Sequence, residues 1–136
     1  MSDLSAAMAA AASGMRAQTL RMRITAENVA NSDSTGQTPG ADPFRRRIPI
    51  LKTERLEDGA QGVKIAGAEY DQSDFKLQYN PGHPAADDKG YVKLPNVESL
   101  IEMMDLREAS RAYEANLNMI DAARAMTSRA LDLLRR

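Results

Sequence analysis

The sequence predicts a mainly α protein with a small β unit: long N- and C-terminal helices packed as an antiparallel coiled coil, with a central antiparallel β-hairpin/loop region. Three observations carry that expectation. Met1, Met8, Met15 and Met22 stand seven apart at the front of the chain, with Val29 in the fifth place. Ala112, Met119, Met126 and Leu133 repeat the spacing at the far end. Between these ends lie proline- and glycine-rich turns and short runs of alternating apolar residues. Seven residues are almost two α-helical turns, so each series forms one narrow seam along a helix.

Segment 1–35 reads as an N-terminal core helix and turn, with the helix running from about Asp3 to about Ala30. Ser2 or Asp3 can cap it, and the Asp3 charge suits the positive pole of the macrodipole. Gly14 lies mid-helix beside Ala11, Ala12 and Ser13. Two readings stand there: a weak point costing about 1 kcal/mol relative to Ala, or a small-residue patch where another helix approaches closely. Asn31 to Gly36 then breaks the helix, and Pro39, Gly40 and Pro43 keep the chain irregular.

Segment 36–95 reads as a central β/loop region. All the lysines (Lys52, Lys64, Lys76, Lys89 and Lys93) fall here, whereas every cation of the helical ends is Arg. Alternation at Val63/Ile65 and at Phe75/Leu77/Tyr79 predicts strands, and Ile48/Ile50 flanking Pro49 fits an edge strand. Residues 57–62, Glu-Asp-Gly-Ala-Gln-Gly, make a hairpin connection. Asn80-Pro81-Gly82-His83-Pro84 is a turn or loop, because each proline restricts the residue before it. Together these predict one small, twisted antiparallel unit.

Segment 96–136 reads as a C-terminal core helix that starts after Pro95 with Asn96 as N-cap and runs to about Leu134. At 1.5 Å per residue it is about 57 Å long. Acids crowd its first half and arginines its end, as the macrodipole favours. Glu108–Arg111, Arg111–Glu114 and Asp121–Arg124 are spaced to pair across one turn. A second stripe, Leu106, Tyr113, Ile120, Thr127 and Leu134, runs beside the methionine seam, with Ala109, Asn116, Ala123 and Ala130 between the two. The apolar face is therefore broader than one partner helix needs, and exposed apolar area of that size marks an interface.

Composition agrees with a part built to assemble. The chain has 136 residues, no Trp, two Phe and four Tyr, so a lone subunit has a thin core of Ala and Met. Net charge is −1, and no segment carries the field that draws in nucleic acid or anionic lipid. There is no cysteine, hence no disulfide framework and no thiol chemistry. The Ala-rich start lacks a basic n-region, so it reads as mature sequence and not as a cleaved signal peptide. His83 is the sole histidine, which excludes multi-His metal sets. Asp87-Asp88, between a proline turn and Lys89-Gly90, reads as a solvated loop and not as a cation site. No phosphate-binding glycine loop or dinucleotide fingerprint is present. No catalytic residue, cofactor, metal or small-molecule substrate is expected. Arg45-Arg46-Arg47, close in sequence to Asp42, Glu54 and Glu57, is expected to make salt bridges at an interface.

The ends also carry a resemblance. AASGMRAQTLRMRITAENVANSDST (11–35) resembles the N-terminal signature of bacterial flagellar axial proteins, the rod and hook family. ASRAYEANLNMIDAARAM (109–126) resembles the matching C-terminal signature, where a long helix returns beside the first. YNPGHPAADDKGYVKLPNV (79–97) and PFRRR (43–47) are similar to segments typical of a proximal-rod member. Many axial relatives have an aromatic soon after the Thr-Gly that follows the first helix. Here Thr35-Gly36 leads to Gln37 and Phe44 is the first aromatic, which weakens a hook or distal-rod reading.

The resemblance implies a structural subunit of the basal-body rod in the periplasm, exported by the flagellar type III apparatus without a cleaved signal peptide. It implies other copies, other rod proteins, the inner-membrane ring and the export apparatus as partners. Carried over onto this sequence as assembly residues are Ser13, Gly14, Asn28, Asn31, Ala109, Ser110, Tyr113, Asn116 and Leu117. The stripes add Met8, Met15, Met22, Val29, Ala112, Met119, Ile120, Ala123 and Met126. Before assembly both ends are expected to be largely unfolded, since half-buried seams do not offset their ordering entropy. A soluble helical-hairpin adaptor or export chaperone is the alternative from another class.

Overall fold

Helix α1 spans Ser2–Ala30 and helix α2 spans Ser99–Leu134, in a computed structural model that describes residues 2–135. Strands β1 (Arg47–Arg55), β2 (Gln61–Tyr70), β3 (Lys76–Tyr79) and β4 (Tyr91–Leu94) lie between them in sequence. The protein is mainly helical, as its heptad seams predict. The small β part consists of two two-stranded sheets, β1 with β2 and β3 with β4. No helix of the described residues is long and apolar enough to cross a membrane.

The chain divides into two compact units. One takes α1 as far as Met22, the hairpin stretch Ile50–Gly67 and α2 from Arg107 onward. The other takes Arg23–Pro49 and Ala68–Leu106.

In the first unit the helices run antiparallel, with Gly14 against Asn116 and Arg21 paired to Glu108 at 3.5 Å. The β1–β2 connection is tighter than expected, because Gln61 and Gly62 already belong to β2. Leu56 N–H donates to the Ala60 carbonyl at 2.8 Å and Gly59 takes φ +84°, which closes the loop over 57–59. Gly62 lets the strand lie close to α1, since a Cβ there would lie 2.6 Å from Ser13 Oγ. Proline is tolerated within β1 because every strand of a two-stranded sheet is an edge.

In the second unit β3 and β4 are antiparallel with Tyr79 opposite Tyr91, and their rings meet edge-on at 5.3 Å. The expected apolar face of β3 stays open: Leu77 and Tyr79 are exposed, and the buried residue of the pair is Val92 on β4. The loop joining these strands is held by its own groups. Asp87 Oδ1 accepts from the backbone of Lys89 and Tyr91, and His83 Nδ1 accepts from Ala85 N–H at 3.0 Å. The Tyr91 N–H, foremost among these donors, holds the Asp87 carboxyl below the usual carboxylate range.

Asn96 is not the cap of α2. Its side chain is committed elsewhere, and α2 begins three residues later, with Glu102 N–H donating to the Glu98 carbonyl.

Candidate assembly interface

The helix pairing of the first unit is built on small residues. Ala11, Gly14 and Ala17 are buried on α1, and Ala109 (0 % exposed) and Ala123 (1 %) on α2. Small side chains let two backbones approach closely, so a Cβ on Gly14 would stand 2.7 Å from Asn116 Nδ2. This settles the role of Gly14 in favour of close approach. The line that meets α1 is Ala109–Asn116–Ala123, flanked by half-buried Tyr113 and Ile120. On its other side α1 meets the hairpin through Ser13, whose hydroxyl donates to the Ala10 carbonyl at 2.7 Å and accepts from Val63 N–H at 3.1 Å.

The methionine seam of α2 is left open. Met119 is 53 % exposed, Met126 55 % and Leu133 70 %, and Leu117 is exposed as well. On α1 the residues Met8, Met15, Met22 and Val29 are all half-buried. The residues expected at an assembly interface thus fall into two groups. Ser13, Gly14, Ala109 and Ala123 are spent inside the subunit, with Ser110, Ala112, Tyr113, Asn116 and Ile120 half-buried, while Leu117, Met119 and Met126 face solvent.

The second unit is organised by a buried polar cluster. Glu102, 1 % exposed, receives the Arg46 guanidinium Nε and lies 3.3 Å from Asn28 Nδ2. Asn28 also clasps the backbone of Arg47 twice, donating to its carbonyl at 2.8 Å and accepting from its N–H at 3.0 Å. Asn96 Oδ1 accepts from Arg46 N–H at 2.7 Å, and its Nδ2 donates to the carbonyls of Asp71 and Ser73. Arg46 reaches Asp71 at 3.3 Å and Asp105 at 3.8 Å. Burial works against the charge of Arg46, yet Glu102 and then Asp71 outweigh it and raise its pKa. Hydrogen bonds from Ser73, with Arg46 adding to them, hold Asp71 below the usual carboxylate range against its partial burial. Asn31 Nδ2 closes the end of α1 by donating to the Glu27 carbonyl at 2.8 Å.

The three arginines therefore find their partners within the chain, and not in Asp42, Glu54 or Glu57. Arg46 takes Glu102, Arg47 takes Glu27 at 3.1 Å, and Arg45 stacks 4.2 Å from the Phe75 ring centroid. Among the described residues no group of three or more His, Cys, Asp or Glu is placed to hold a metal ion.

Comparison with known proteins gives this arrangement its setting. A model of the flagellar basal body rod FlgEFG protein C-terminal region matches residues 88–133. The chain is 48 % identical to the flagellar basal-body rod protein FlgC of Agrobacterium fabrum over 136 residues, covering 99 % of this chain and 98 % of the relative. It is 40 % identical to the FlgC of Borreliella burgdorferi, covering 91 % of this chain and 93 % of the relative. It is 38 % identical to the FlgC of Salmonella typhimurium, covering 90 % and 92 %. The chain belongs to the FlgC family of flagellar basal-body rod proteins. It is a structural rod subunit of the flagellar basal body, and the adaptor alternative is not favoured.

Two features of this rod subunit escape a reading of the sequence. Glu102 lies one heptad before Ala109, on the line Ala109–Asn116–Ala123, so extending that line backward finds the one buried acid among the described residues. The other is the open apolar patch Leu100, Ile101, Met103 and Met104 at the start of α2, all exposed. A dense apolar run at a helix start looks the same in sequence whether or not a neighbour covers it.

Proposed function

We propose that the subunit joins the periplasmic rod by helical assembly, offering one face to a different face of its neighbour so that the contact propagates as a tube. The open methionine seam of α2 carries this reading. Met119, Met126 and Leu133 form a continuous heptad stripe that the subunit's own helix pairing does not cover. Such a stripe gains burial only from another chain. Other copies, other rod proteins, inner-membrane ring components and the export apparatus are the partners in this reading. Export proceeds without a cleaved signal peptide. The role is mechanical, with no reaction catalysed and no cofactor held.

The test is Met126→Asp in a strain whose only copy carries the change. Charge at a solvent-facing position spares the fold of the subunit, so the protein is made at normal level but is missing from purified basal bodies, and motility is lost. Normal incorporation and swimming would sink the seam as an assembly contact.

A further inference from the structure

We propose that Asn116 is the positioning residue that fixes the register of α2 along α1, through the space left by Gly14. The inference concerns the first unit alone and goes beyond the rod reading, because it names what gives the helix pair one alignment. Within this unit the line of α2 that meets α1 reads Ala109, Asn116, Ala123 and Ala130, seven residues apart. Asn116 is the one member of these four that is not alanine. Without it, a shift of α2 by one heptad sets alanine where alanine stood.

The flanking line does not remove the ambiguity. Gly14 faces Asn116 in an antiparallel pair, so four residues back along α1 and four on along α2 bring Ala10 to Ile120. Three residues the other way bring Ala17 to Tyr113. After a heptad shift Ala10 meets Tyr113 or Thr127, and Ala17 meets Ile120 in place of Tyr113. Each is again alanine against a larger side chain. The contact of Asn116 with Gly14 differs in kind. A Cβ at residue 14 would stand 2.7 Å from Asn116 Nδ2, so the amide lies in space that glycine alone leaves open. Asn116 Nδ2 also donates to the Ala112 carbonyl at 3.0 Å, which holds the side chain in that direction. Shifted one way, the amide meets the methyl group of Ala7. Shifted the other way, it meets Arg21, which then loses its 3.5 Å contact with Glu108. A single polar residue in an otherwise apolar helix seam specifies register in this manner. Ends that are unfolded before assembly need such a mark, because they must find one alignment among several near-equal ones.

The full chain has no cysteine, so introduced pairs report the alignment directly. Ala10→Cys with Ile120→Cys reads the native register, and Ala10→Cys with Thr127→Cys reads the register one heptad along. Each full-length two-cysteine chain is equilibrated in a glutathione redox buffer, and its disulfide fraction is measured. The disulfide traps the helix pair however rarely the free ends visit it. An unpaired chain closes the two loops almost equally, since they differ by one heptad in more than a hundred residues. The native disulfide should be favoured roughly tenfold, a ratio of the effective concentrations of the two thiol pairs. Asn116→Ala should bring that ratio to about one. Asn116→Ala combined with Ala123→Asn should invert it, because the amide then faces Gly14 only after the shift. Lost packing alone lowers both disulfides and inverts nothing. A parent ratio near one, a native preference that survives Asn116→Ala, or no inversion in the combined variant each overturn the proposal. None of these outcomes touches the rod reading, which stands or falls on incorporation of Met126→Asp.

Discussion

Gly14 and Asn116 meet where the two helices of the first unit touch, with Asn116 Nδ2 filling the space that a Cβ on residue 14 would take. The Asn116 amide is anchored at the same time to the Ala112 carbonyl at 3.0 Å, so it yields only by giving up that bond. Gly14→Ala gains about 1 kcal/mol of helix propensity and spends much of it on displacing Asn116. The net change is expected near zero. Gly14→Leu has no such compensation and should destabilise the unit by about 1–3 kcal/mol. Denaturant unfolding followed by circular dichroism measures both. If Asn116→Ala failed to make Gly14→Ala stabilising, the contact would not be what limits residue 14.

Glu102 and Arg46 form the most deeply buried ion pair of the second unit. Arg46→Ala leaves the Glu102 carboxylate buried with only Asn28 beside it, and breaking such a pair is expected to cost about 3 kcal/mol. Glu102→Gln keeps the shape and a hydrogen bond, so it should cost less than half as much. Hydrogen exchange at the backbone of Arg46 and Arg47 should accelerate in the first variant, because Asn28 and Asn96 hold those amides through the same cluster.

Asp71 makes the stability of the second unit depend on pH. Its carboxyl is held below its ordinary range, chiefly by the Ser73 backbone N–H and hydroxyl. A depressed folded value means that the ionised group stabilises the fold above the ordinary carboxylate range. That contribution is lost as pH falls through the folded value. Melting profiles from about pH 7 to about pH 3 should therefore fall less steeply for Asp71→Asn than for the parent chain. Parallel profiles would remove Asp71 from the acid response.

Ala123 and Met126 lie one turn apart on α2 and should respond oppositely to the same change. Ala123 is 1 % exposed in the helix seam, so Ala123→Asp buries an unpaired charge and should cost about 3 kcal/mol or more. Met126→Asp stands in solvent and should shift stability by less than about 0.5 kcal/mol. Thermal melts of the two purified variants decide it, and equal losses would mean that the seam does not distinguish them.

Ser13 couples α1 to the hairpin of the first unit by a single hydroxyl. Ser13→Ala leaves Val63 N–H without its acceptor, at an expected cost of about 1–3 kcal/mol. The local sign is faster hydrogen exchange at Val63 with α1 unchanged. Unaltered protection there would show that the hydroxyl contributes nothing to holding the strand.

By itself the sequence determined the two helices and the presence of strands, because these follow from spacing that any local stretch carries: heptads, alternation and prolines. The return of the second helix beside the first was implied by the resemblance of the two ends to the axial family. The spacing also marked more apolar face on α2 than one partner can cover. Only the tertiary structure decided which face is spent inside the subunit. Ala109, Asn116 and Ala123 meet α1, where small side chains permit the closest approach, and Met119 and Met126 are left exposed to one side of that line. The arginine partners and the displaced start of α2 were equally hidden. Arg46 meets Glu102 across 56 residues of chain, and Asn96 gives up its capping role to hold the Asp71 and Ser73 carbonyls. Local periodicity shows that a face wants burial, whereas the choice among faces depends on which distant side chains fit against it.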